Sequence, residues 1–172
     1  MEELLEQLID FDLMDFKCFD LLKEKLTTDE EFRDIVIEGI NQGKIKKFPR
    51  ELFDKVCDQN MNAPFKPIQI FIDGANLGAC TTMSKIVSYS LPTCEICGGT
   101  LSILEGTKNS PDGRHTWISY QGHIIDTSLM LDISESYMNN LGYNEENRIN
   151  PNLSPIYGAS KDFANDKSCR KK

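Results

Sequence analysis

The sequence predicts an α+β fold, and three observations carry that prediction. The first some 60 of 172 residues have apolar side chains at helical spacing. Two short runs rich in Ile, Thr, Tyr and Trp flank Gln121-Gly122, the pattern of a β-hairpin. Between them, a helical stretch opens at Cys80 directly after a glycine-containing loop.

In chain order, Leu4, Leu5, Leu8 and Ile9 continue into Phe11, Leu13, Phe16, Phe19 and Leu22, a wide apolar stripe among acids. Thr28-Asp29-Glu30-Glu31 has the form of a capping box, with Thr28 as cap and Glu31 three residues on. The helix it starts runs through Phe32, Ile35, Val36 and Ile40 and stops near Gly43. Pro49 begins another, with Leu52, Phe53 and Val56 on one face. Residues 60–67 carry two prolines and form the expected linker, which divides the chain into a helical lobe (1–62) and a core domain (63–172).

Ile68 to Ile72 is expected to be a strand, followed by Asp73-Gly74-Ala75-Asn76-Leu77-Gly78-Ala79. Met83, Ile86, Val87 and Leu91 then give helical spacing, and Pro92 ends that helix by excluding Leu91 from the α region. Gly99 to Glu105 has strand character, Thr107 to Gly113 is a polar loop, and Ile133 to Leu141 is expected to be a helix ended by Gly142. Residues 144–172 offer few signals, and the basic end near 165–172 is expected to be a solvated tail.

The hairpin carries the chemistry. A two-residue turn at Gln121-Gly122 pairs Tyr120 with His123, Ser119 with Ile124, and Ile118 with Ile125. Alternation then puts His115, Trp117 and Asp126 on one face and His123 on the other. His115 and Asp126 become diagonal cross-strand neighbours, the arrangement of a base and the acceptor that orients it. Cys80 supplies a nucleophile type. At a helix start its thiolate is favoured, and the backbone N–H groups there can hold an oxyanion. Asn76 and Trp117 are candidate oxyanion or substrate contacts.

A cysteine at a helix start, then His115-x-Trp117 on a strand, then Asp126 on its neighbour resembles the transglutaminase-like branch of the papain-like cysteine enzymes. The resemblance spans roughly residues 68–130. It implies a helix bearing the nucleophile packed on an antiparallel sheet, with an N-terminal helical lobe. It also implies acyl transfer or hydrolysis at an amide or peptide bond, with Cys80 as nucleophile, His115 as base and Asp126 as orienter. No cofactor is expected, and the partner is a polypeptide or amide substrate. Thr81 and Thr82 follow Cys80 where a tryptophan is common in that family, which keeps open a non-catalytic binding module on the same fold.

A net charge of −8 disfavours nonspecific nucleic-acid binding. No apolar run approaches the ~20 residues that span a membrane, and Glu2-Glu3 is not the start of a secretory signal, so a cytoplasmic location is expected. Six cysteines there are expected to be thiols rather than a disulfide framework. Cys94-x-x-Cys97 followed by two glycines admits a structural turn, a redox pair or half of a small zinc site.

Overall fold

The computed structural model describes residues 2–8, 17–59, 80–108 and 110–150, and shows an α+β architecture built on a six-stranded antiparallel sheet. The elements are α1 (Glu2–Leu8), α2 (Lys17–Thr28), α3 (Glu30–Asn41), β1 (Ile45–Lys47), α4 (Arg50–Gln59), α5 (Cys80–Ser88), β2 (Glu95–Leu101), β3 (Arg114–Tyr120), β4 (His123–Asp126), β5 (Leu131–Ser134) and β6 (Tyr143–Ile149). Short 3₁₀ turns at Ser102–Leu104 and Glu135–Leu141 complete them. The strand order is β1-β5-β4-β3-β2-β6.

The helical reading of the first 60 residues needs two corrections. Thr28 is still inside α2, where its hydroxyl donates to Glu24 O, so the cap of α3 is Asp29, which accepts from Phe32 N at 3.0 Å. Ile45–Lys47 is a strand, paired with Leu131–Ile133 of β5, so this stretch belongs to the central sheet. α3 ends as expected, with Gly43 in the left-handed region at φ 69°. Pro49 sits just before α4, its carbonyl accepting from Phe53 N.

Later in the chain, β2 begins at Glu95 and ends at Leu101, earlier than the expected Gly99–Glu105 strand, and Leu131–Ser134 is a strand before a 3₁₀ turn rather than the start of a helix. β6 lies in a segment whose sequence, YNEENRI, has only its first residue buried. The expected strand over residues 68–72 and the linker at 60–67 lie outside the described residues.

Paired residues of neighbouring strands share a face. One face therefore carries Trp117 with Cys97, Ser119 with Ile124, Ile124 with Ile133, and Leu101 with Tyr143. Leu8, Leu22, Phe32 and Val36 of α1, α2 and α3 close over Leu101, Leu131, Ile133 and Tyr143 on this side. The opposite face carries Thr116, Ile118, Tyr120, Ile125 and Asp132 and is covered by α4 and α5. On α5, Cys80, Met83, Ser84 and Val87 form one buried stripe. The sheet is thus enclosed on both sides, and Trp117, Ile118, Ile124 and Ile133 are wholly buried. No helix among the described residues is long and apolar enough to cross a membrane.

Candidate active site

The β3–β4 hairpin has the register expected of it: Tyr120 opposite His123, Ser119 opposite Ile124, Ile118 opposite Ile125. Gln121 and Gly122 take φ of 51° and 79°, the left-handed pair that a two-residue hairpin turn requires. Parity then brings His115 and Asp126 together, with His115 Nε2 2.8 Å from Asp126 Oδ2. The ring is 2% exposed and the carboxylate 0%.

Asp126 is held from three further directions. The backbone N–H groups of Ser128 and Leu129 donate to its Oδ1 at 2.8 and 3.0 Å, an Asx turn that opens the loop between β4 and β5. Tyr143 Oη donates to Oδ2 at 2.5 Å. Burial by itself pushes this carboxyl up. The charge on His115, with the hydrogen bonds from His115, Tyr143 and Leu129, outweighs burial and holds it below the usual carboxylate range. An ionised Asp126 fixes the proton of a neutral His115 on Nε2 and leaves Nδ1 as the basic nitrogen, the state a general base needs.

Tyr143 was not legible in the sequence as a site residue, because it lies on β6 and reaches Asp126 only through the folded sheet. Gly99 makes that approach possible. It stands opposite His115 on β2, beside a β-bulge, and a Cβ there would lie 2.0 Å from Asn144 O. Only glycine lets β6 pass this close. Tyr143 also meets Trp117 edge-on at 5.2 Å between centroids, and Trp117 is 6.0 Å from His115. Trp117 is fully buried, with Nε1 lacking an acceptor among the described residues, so it packs beneath the pair.

Cys80 is the first residue of α5 and is buried, as expected for a helix start packed on the sheet. The next residue anchors the helix: Thr81 Oγ1 lies 3.1 Å from Thr116 Oγ1. Thr116 follows His115 in a regularly paired strand, so the two side chains leave opposite faces. The start of α5 is therefore fixed beside His115 along the chain but on the other side of the sheet. On the β4 edge, pairing of β3 covers Ile118–Tyr120 only, so His115 lies beyond the end of that ladder. Asn76 lies outside the described residues.

No family model, curated protein or solved structure matches this chain.

The remaining cysteines separate by the same parity. Cys97 lies in β2 opposite Trp117, on the His115 face, while Cys94 precedes the strand and its thiol approaches Ser88 O at 3.8 Å, at the end of α5 on the other face. The Cys94-x-x-Cys97 segment thus leads from a turn closed by Cys94 N donating to Leu91 O into β2, with the two cysteines on opposite faces of the sheet. No group of three or more candidate metal-ligating side chains occurs among the described residues. Burial raises both thiols above the ordinary range.

Proposed function

We propose that this chain performs cysteine-dependent acyl transfer or hydrolysis at an amide or peptide bond, on a transglutaminase-like core. The observation that carries this reading is the buried His115–Asp126 pair, oriented at 2.8 Å and lying next in sequence to the residue that anchors the Cys80 helix. His115 Nδ1 takes the proton of Cys80, and the thiolate attacks the carbonyl carbon. The tetrahedral oxyanion rests against N–H groups at the start of α5. Collapse releases the amine, which leaves with the proton held by His115, and forms a thioester. Water or a second amine then breaks the thioester and restores the thiol. The first step requires the Cys80 sulfur to reach the imidazole around the edge of β3 beyond the end of the β4 ladder. The substrate is a polypeptide or other amide and the setting a reducing cytoplasm, in keeping with Cys57, Cys80, Cys94 and Cys97 standing outside disulfides.

One observation favours a second reading, a binding module of the same architecture without turnover: Thr81 docks on the face opposite His115. Site-resolved alkylation by iodoacetamide across pH separates the two. For the enzyme, Cys80 reacts faster than a free thiol below ~pH 8.5, and His115→Ala removes the excess rate. A Cys80 rate equal to or below that of a free thiol, unchanged in His115→Ala, leaves the module.

A further inference from the structure

On the opposite face, about 17 Å along β3 from His115, the sheet carries a second His–Asp pair in an open groove. His123 Nδ1 lies 2.9 Å from Asp132 Oδ1, with the imidazole side chain 44% exposed and the carboxylate 17%. The groove holds about 500 Å³ between α4, the turn after α5 and the β3–β4 hairpin. That volume suits a small molecule or a single side chain.

Three features of the groove point to one chemistry. Asp132 accepts from Nδ1–H, so neutral His123 offers Nε2 as an acceptor, and Nε2 has no partner among the described residues. Tyr120 presents a ring beside it, and Leu52, Leu91 and Ile125 supply an apolar floor. Glu51 and Asp132 outnumber Lys55 as charged lining groups when His123 is neutral. An acceptor nitrogen, two carboxylates and an aromatic ring favour a protonated amine over a carboxylate or phosphate.

We propose that this groove is a binding site for a small amine with an apolar body, its ammonium hydrogen-bonded to His123 Nε2 and placed against Tyr120 and Glu51. The site is separate from the Cys80–His115–Asp126 constellation and does not depend on it. Lys55 on α4 and Lys46 on β1 oppose the amine, and Glu51, Asp132 and Glu135 favour it.

The test titrates the full chain with benzylamine, benzyl alcohol and benzoate while following the His123 imidazole by NMR. Benzylamine is expected to shift the His123 signals saturably, with benzyl alcohol and benzoate at least about fivefold weaker. His123→Ala, read by the same ligand's line broadening, abolishes the effect. Glu51→Gln, an exposed change on α4, weakens it several-fold while the melting temperature stays at the parent value. Benzoate binding as strongly as benzylamine, binding unaltered by both variants, or no saturable shift with any probe overturns the proposal.

Discussion

Replacing Asp126 by Asn tests the buried pair at its most constrained atom. Oδ2 accepts from His115 Nε2 at 2.8 Å and from Tyr143 Oη at 2.5 Å, while Oδ1 accepts from Ser128 N and Leu129 N. An Asn side chain keeps one oxygen, which can hold the two backbone donors. At the other position it presents an N–H₂ group to two donors that have lost their charged acceptor. A hydrogen bond to a charged group is worth about 1.5–3 kcal/mol, so the change should cost about 3–5 kcal/mol. For a chain of this size that is a fall of roughly 10–15 °C in melting temperature, measured by circular dichroism. The gap depends on pH in a defined direction. Asp126 has a lower pKa folded than unfolded, so its contribution is fully present above the unfolded value of about 3.9 and is lost as pH falls through the folded one. Parent and variant should therefore differ by a constant amount near neutrality and converge in acid below ~pH 4. A difference under about 3 °C at neutral pH, or one that persists undiminished into strong acid, refutes the assignment of an ionised, fully bonded Asp126.

Three further outcomes are expected. Tyr143→Phe removes one donor to Asp126 but keeps the ring against Trp117, so it should cost about 1–2 kcal/mol by denaturant titration and should raise the His115 pKa seen by NMR, because Asp126 regains charge density for the imidazole. Gly99→Ala should destabilise by about 1–3 kcal/mol or more in the same titration, since its Cβ would meet backbone at Asn144 rather than a movable side chain. In native protein, burial together with Asp54 and Asp58 pushes the Cys57 thiol up to about 11, so mass-resolved alkylation at neutral pH should find Cys57 slower than a free thiol and comparable to it only after unfolding.

What the sequence made legible was local. The hairpin register follows from side-chain alternation and one turn, all within about a dozen residues, and those residues place His115 beside Asp126. The α5 start follows from apolar spacing that begins after a glycine-containing loop. What escaped was set by distant pairing. Ile45–Lys47 is a strand because β5, 84 to 88 residues later by paired positions, offers it a ladder, and three residues carry too little periodicity to announce that. β6 is an edge strand with a polar, mostly exposed surface, so its sequence lacks the alternation that marks a half-buried strand. Tyr143 was hidden with it. The side of the sheet on which α5 docks was equally illegible, because helix spacing defines a buried stripe without saying which face receives it.

The carboxylate of Asp126 ties together parts of the chain that are near and far from it in sequence. His115 and the Asx turn lie within the hairpin and its following loop, whereas Tyr143 arrives with the outermost strand at the far end of the sheet. The hairpin and the Asx turn hold the charge locally, and β6 at the sheet edge closes over it through Tyr143. Acid should consequently loosen this molecule unevenly. With Asp126 protonated, Tyr143 loses its ionic acceptor, and hydrogen exchange along β6 should quicken before exchange in β3 and β4.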